Sequence, residues 1–210
     1  FRTEESSWIG NVMDSLSLLD LDKFRIQNSE FRILDIGTGG GFPLLPLAIC
    51  LPNASHTGLD STQKKIDAIQ RIVDQLELQN VHLLCGRTEK LGRDPNLREK
   101  FDIVTARAVA PLNVLLEFAS PFVKPGGHIV AWKSLNIEKE LEESLLARAE
   151  CSCQLIDQCK YDLDTEDWPA NRSPKDVGWG KRQLLIFEKR ASISDKYPRD
   201  VGIPKKNPLL

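Results

Sequence analysis

Long hydrophobic runs are missing from this 210-residue chain: nowhere do about 18 apolar residues follow one another. The opening residues do not read as a signal peptide, so neither a membrane helix nor a secreted protein is expected. Metal and redox signatures are equally scarce. The five cysteines (Cys50, Cys85, Cys151, Cys153, Cys159) are odd in number, and Cys151-x-Cys153 is too short for C-x-x-C. No metal site and no structural disulfide are expected, which points to a reduced compartment: a cytoplasm, or a plastid if the source is a plant or alga. Cys50 and Cys85 are expected to pack as small apolar groups. Charge of one sign is lacking too. Lys and Arg number 28 against 30 Asp and Glu, a net of −2, so any nucleic-acid contact must be local. There is no internal repeat and no second-domain boundary, and 41% hydrophobic content suffices for one core.

What is present centres on residues 33–43, Ile-Leu-Asp-Ile-Gly-Thr-Gly-Gly-Gly-Phe-Pro. An apolar run reading as a buried strand breaks into glycines, and apolar residues at helical spacing resume at Leu44. Strand, glycine turn, helix is the layout that sets a nucleotide-like ligand over a helix N-terminus. A P-loop is excluded because no Lys follows Gly41 within reach. A dinucleotide fingerprint fits Gly37 and Gly39, but its last glycine is replaced by Phe42. What remains is Asp-x-Gly-x-Gly-x-Gly. A carboxylate at Asp35, facing the loop, suits a ligand with a cationic amino-acid end, which describes S-adenosylmethionine. The alternative is that Asp35 ties down the turn. Asp60 ends the next apolar stretch, about 20 residues on, where an acid holds a ribose; Asp60-Ser61 also suits the cap of a following helix.

The rest of the chain alternates. An amphipathic helix is predicted over about 7–19, with Ser6 or Ser7 as its cap and Trp8, Ile9, Val12, Leu16 and Leu19 as its apolar face. Residues 20–30 are polar connection. Strands are predicted at 31–36, 56–60, 81–85, 101–106 and 128–132. Helices are predicted at 44–50, 63–76 (Ile66, Ile69, Ile72, Val73 and Leu76 buried), 88–91, 112–122 and 138–149. Pro125-Gly126-Gly127 reads as a tight turn before the fifth strand. Residues 154–161 and 183–189 read as an antiparallel pair around a polar insertion, 162–180, holding Trp168 and Trp179. The alternation implies a doubly wound, mostly parallel α/β sheet. The terminal hairpin that inserts an antiparallel strand is the further mark of a seven-stranded, Rossmann-like class I methyltransferase.

Local sequences narrow this further. Residues 35–43 with Leu59-Asp60-Ser61 and Lys64-Lys65 resemble the bacterial small-subunit ribosomal RNA methyltransferase G family, also called glucose-inhibited division protein B. Arg87-Thr88-Glu89, the stretch from Asp102 to Ala110, Ala131-Trp132-Lys133 and the tail Lys196-Tyr197-Pro198-Arg199 agree with it. The resemblance implies methylation of guanine N7 in 16S ribosomal RNA, free or in the small subunit, with S-adenosylmethionine as donor and no membrane partner. It carries cofactor binding onto Gly37, Phe42, Asp60, Ser61, Thr62, Thr88, Glu89 and Arg107; Asp35, Gly39 and Gly41 join them from the loop reading. It implies a methyltransferase domain over 1–190, with its core at 31–190, and a basic, proline-containing tail at 191–210. A monomer is expected. One departure stands out: the family has Arg-His where Gly10-Asn11 precede Val12-Met13-Asp14-Ser15-Leu16.

The chemistry agrees by what the sequence omits. Guanine N7 has an in-plane lone pair and no proton, so its attack needs alignment rather than a base. No Asn-Pro-Pro-Tyr or Asp-Pro-Pro-Tyr follows the fourth strand, and no Pro-Cys nucleophile is present. Arg107 stands there instead. It suits the O6/N7 edge, a phosphate or the cofactor; as an alternative it pairs with Asp102 or Glu89. It is no base, since it stays protonated. Lys133, ending the fifth strand, is the second catalytic and RNA candidate, the alternative being a solvated lysine. In the tail, Lys196, Arg199, Lys205 and Lys206 either contact RNA or pack beside the cleft. Three other readings stay open: a nonenzymatic ribosome-assembly protein that binds the cofactor, a methyltransferase for another RNA site, and a nicotinamide oxidoreductase.

Overall fold

The computed structural model describes residues 8–21, 31–163 and 181–210. The proposed caps Ser6 and Ser7, most of the 20–30 connection, and Trp168 and Trp179 lie outside the described residues. Seven strands form one sheet: β1 Arg32–Ile36, β2 Ser55–Asp60, β3 Val81–Cys85, β4 Phe101–Arg107, β5 Val123–Ser134, β6 Cys153–Asp162 and β7 Lys181–Lys189. Their spatial order is β3-β2-β1-β4-β5-β7-β6. The first five run parallel, and β7 lies antiparallel between β5 and β6. The class I architecture read from the sequence is therefore the one observed.

Alternation along the central strands divides the core. Ile33, Ile103, Val130 and Leu184 face one side, against Leu47 and Leu18. Their neighbours Leu34, Val104, Ile129 and Leu185 face the other, against Leu112, Leu115, Leu116 and Ala147. A period of two on strands buried on both faces produces such continuous apolar runs. The helix over Leu112–Ala119 is buried at every residue, and each such Leu, Val or Phe contributes about 1.5–3 kcal/mol. It fixes the floor behind the end of β4. Truncating Leu116, fully buried there, to Ala would cost about 2–5 kcal/mol.

Several expectations need correction. The helix expected at 7–19 is a π-helical segment at Trp8–Met13, followed by α1 at Asp14–Leu16 and a turn. Its inward face is mixed: of the expected apolar residues Ile9 is buried but Trp8 and Leu19 are exposed, while Leu18, Asp14 and Ser15 are buried with Ile9. Buried hydrogen-bonding partners for Asp14 outweigh the apolar stripe. The next helices are α2 Leu44–Cys50, α3 Gln63–Gln75 and α4 Thr88–Leu91. On α3, Ile72 and Leu76 are exposed, because a helix beside the sheet edge covers only a narrow stripe. The helix from Leu112 (α5) stops at Ala119; Ser120 is still in the right-handed helical region, and Pro121 has no N–H to continue the ladder. Residues 138–149 divide into α6 Glu138–Glu143 and α7 Leu145–Glu150. At the break, Ser144 Oγ donates to the Leu141 carbonyl (2.8 Å), a bond that competes with the helical ladder. Pro125-Gly126-Gly127 lies within β5, at a register shift against β4. Cys50 and Cys85 are exposed rather than packed, since each ends its element at the surface. The tail contains a short helix, α8 Ile203–Lys206. Among the described residues no helix is long and apolar enough to cross a membrane, and no acid, His or Cys cluster could hold a metal.

Candidate cofactor cleft and substrate edge

The carboxyl ends of the parallel strands open on a cleft of about 210 Å³. It is lined by Gly37, Asp60, Ser61, Thr62, Lys65, Arg87, Thr88, Glu89, Ala108, Val109 and Lys205, among others. The turn after β1 is set by its glycines. Gly37 and Thr38 both donate backbone N–H to the Leu59 carbonyl (2.7 and 3.0 Å), with Gly37 at φ +69° and Gly39 at φ +59°. A Cβ on Gly37 would lie 2.9 Å from a Val109 methyl, whereas one on Gly39 would meet only the Gly37 carbonyl at 3.6 Å. Gly37 is thus required by space and conformation, Gly39 by conformation alone.

Asp60 joins the loop to the next element. Its Oδ2 accepts from Gly39 N–H (3.1 Å) and pairs with Lys65 (3.4 Å), and its Oδ1 accepts from Thr62 N–H (2.9 Å). Burial would raise its pKa, but these N–H groups and the Lys65 charge hold it below the ordinary carboxylate range. Asp60 therefore holds the Thr62 N–H at the start of α3 and faces the cleft at once. Glu89 is buried in the wall, its Oε1 accepting from Arg87 Nη2 (2.9 Å) and Gly202 N–H (3.1 Å). Burial opposes ionisation here as well, and Arg87 and the backbone donors prevail, so Glu89 is a low-pKa carboxylate.

Asp35, Gly39, Gly41 and Phe42 stand behind this surface rather than in its lining. Asp35 is only 1% exposed. One oxygen accepts from the Thr105 hydroxyl (2.9 Å), and the neighbouring Thr38 hydroxyl and the Leu44 backbone also act on the carboxylate. Burial pushes Asp35 up to about 7, against the opposing pull of Thr38, Thr105 and the Arg107 charge.

Arg107 ends β4 outside the cleft lining. It pairs with neither Asp102 nor Glu89, both of which have other partners. Its Nη1 reaches the Asn11 carbonyl (3.2 Å) and Asp14 Oδ2 (3.3 Å), and its Nη2 donates to Asn11 Oδ1. Burial lowers its pKa and Asp14 opposes that shift. Lys133 is not a solvated lysine: it donates to Glu140 Oε2 (2.6 Å) and to the Ala110 carbonyl (3.0 Å).

The tail packs onto the domain. Arg199 Nε and Nη2 grip Glu117, a fully buried acid on α5, at 2.7–3.1 Å. Lys196 pairs with Glu150 (2.8 Å), Lys205 lines the cleft, and Lys206 is exposed. Of the two readings for Arg199, packing is the arrangement found. Glu117, a lone acid in an otherwise apolar helix, is a signal visible in the sequence, whereas nothing local marks Asp14 for burial.

Known proteins bear on this geometry. A family profile described as rRNA small subunit methyltransferase G matches residues 1–162. A ribosomal RNA small subunit methyltransferase G from Staphylococcus saprophyticus is 41% identical over 181 residues, covering 86% of this chain and 70% of that protein. One from Thermoanaerobacter sp. strain X514 is 36% identical over 208 residues, 99% of this chain and 80% of its own. Among solved structures, YcgJ of Bacillus subtilis superposes with a TM-score of 0.60 at 19% identity, covering 86% of this chain and all of that one. TYW2 of M. jannaschii in complex with AdoMet gives 0.59 at 19% identity, covering 86% and 76%. At such identities these two likenesses speak for the fold alone.

Proposed function

This chain belongs to the rRNA small subunit methyltransferase G family, and on that premise we propose that it methylates N7 of a guanine in 16S ribosomal RNA with S-adenosylmethionine as donor. The observation that carries the cofactor assignment is the meeting of the Gly37 turn, Asp60 and Glu89 at one cleft. Asp60 is the acceptor for ribose hydroxyls. Glu89, with Ala108 and Val109, forms the wall for the adenine. Asp35, buried beneath the loop, supplies a carboxylate charge toward a cationic amino-acid end, so the residues present fit the group. When bound, the cofactor supplies an electrophilic methyl group on a sulfonium.

The protein's part is alignment and exclusion of water. N7 gives its in-plane lone pair to the methyl carbon and loses no proton, so no side chain has to act as a base. Arg107 is the donor that meets guanine O6 or a nearby phosphate, leaving the N7 lone pair free for the methyl carbon. Lys133 holds the Ala110 carbonyl, and hence the backbone after β4, in place while offering charge at the same edge. Lys205 and Lys206 are the tail residues free to meet RNA phosphate. Lys196 and Arg199 first hold the tail down. The tail at 191–210 and the domain at 1–190 then act as one unit, docked on ribosomal RNA or on the small subunit.

Titration calorimetry with S-adenosylmethionine, and separately with NAD⁺, tests the cofactor. Heat from the first and none from the second is expected. The reverse result would return the chain to the oxidoreductase reading.

A further inference from the structure

Asp14 has no exposed surface, yet four elements of the sheet edge converge on it. Its Oδ1 accepts from the Tyr161 hydroxyl on β6 (2.6 Å). Its Oδ2 pairs with Arg107 at the end of β4 (3.3 Å) and with Arg182 at the start of β7 (3.4 Å). Its carbonyl accepts from Trp132 Nε1 on β5 (2.8 Å). All these groups sit at the carboxyl edge of the parallel strands, where α/β sheets bind ligands. Two guanidiniums on a single carboxylate leave the cluster one positive charge in excess. Arg107 and Arg182 remain 15% and 30% exposed, so the excess reaches the surface.

A cluster of this sort is a poor device for stability. Taking charges out of water costs more than an apolar replacement of the same volume, and the strand register is already set by the β-ladders and the packed core. What Asp14 adds is control of the two arginines. Reaching the same oxygen, they sit side by side where repulsion would otherwise drive them apart; the Arg182 charge and burial both work against the Arg107 charge, and Asp14 offsets them. Asn11 then fixes the in-plane orientation of the Arg107 guanidinium through its carbonyl and side-chain oxygens.

We propose that Asp14 is a positioning residue for methyl transfer: it clamps Arg107 and Arg182 on one oxygen, so that the edge above β4 meets the RNA as a fixed pair of guanidiniums with one net positive charge. The inference rests on the assignment of Arg107 to the substrate side made above. The class of group received is an acceptor-rich one, guanine O6 or a phosphate oxygen, matched by two planar donors. The N-terminal segment is thereby part of the substrate site rather than an appendage to the fold.

The test is a double-mutant cycle in RNA methylation at saturating S-adenosylmethionine, using wild type, Asp14→Asn, Arg107→Ala and the double variant. Thermal melts and cofactor affinity are measured on all four. Asp14→Asn is expected to lower kcat/KM for RNA about 100-fold, the scale of misplacing a group by 1 Å, with cofactor affinity within about twofold of wild type. The double variant is expected to lose clearly less than the product of the two single losses, because Asp14 acts in part through that arginine. A fully active Asp14→Asn, or losses that multiply in the double variant, would overturn the proposal. If Arg107→Ala is itself fully active, the assignment of Arg107 falls first and the positioning role falls with it. Should Asp14→Asn fail to fold, Tyr161→Phe is read in its place. A loss that disappears in the Arg107→Ala background supports the clamp, and wild-type activity overturns it.

Discussion

Gly39 donates its backbone N–H to Asp60 Oδ2 at 3.1 Å, so the glycine turn after β1 and the acid that ends β2 form one unit. Removing the carboxylate would free the turn and delete the ribose acceptor together. Asp60→Ala is expected to weaken S-adenosylmethionine binding by about 1.5–3 kcal/mol, the scale of hydrogen bonds to a charged group, as read by calorimetry. Gly39→Val should go further. The obstacle is not space, which is open above Gly39, but a branched side chain at φ +59°. Unchanged affinity in Gly39→Val would show that the loop is not the site.

Asp35 makes cofactor binding depend on pH. Its pKa is about 7 in the folded chain against an ordinary 3.8, and a cationic ligand end favours the ionised form. Affinity for S-adenosylmethionine should therefore rise with pH up to about 7 and level off above it, with proton release on binding below that point. At saturating cofactor Asp35 is held ionised, and the turnover profile should be flat from pH 6 to 8, as base-free attack requires. The stability of the free protein should move the other way. Between about 4 and 7 the folded chain binds a proton that the unfolded chain has lost, so stability falls as pH rises through that window. Melts of Asp35→Asn should lack this slope. An Asp35→Asn variant with the same slope would place the titration elsewhere.

Much of this site was legible in residue order. The turn at 37–41, the acids at 60 and 89 and the bounds of β3 and α2 follow from local rules: glycine where φ is positive, apolar runs where both sheet faces are covered, carboxylates at strand ends. What sequence did not disclose were pairings between distant residues. Nothing local says that Arg199 will grip Glu117, 82 positions away, or that Asp14 will be buried by Arg107, Tyr161 and Arg182. The apolar stripe on the N-terminal segment is therefore only partly turned inward, with Ile9 buried and Trp8 and Leu19 exposed. A helix-period pattern predicts a buried face only where no stronger buried ion cluster competes for it.

The two kinds of tail cation should separate cleanly. Arg199→Ala leaves Glu117 buried without its partner and should destabilise the fold by about 3–5 kcal/mol, visible as a lower Tm. Lys205→Gln with Lys206→Gln should leave Tm unchanged, weaken RNA binding and flatten its salt dependence, because fewer counterions are released. An unaltered salt slope in the double lysine variant would remove the tail from the RNA surface.

The central claim is methyl transfer to guanine N7, and mapping the product tests it most directly. 16S ribosomal RNA and small subunits from cells lacking this gene are incubated with the protein and methyl-labelled S-adenosylmethionine, and N7-methylguanine is located by chemical cleavage at the modified base. The account predicts label at a single N7-methylguanine, abolished by Gly39→Val and strongly reduced by Arg107→Ala. Label on another atom, or none in either substrate despite tight cofactor binding, would contradict it.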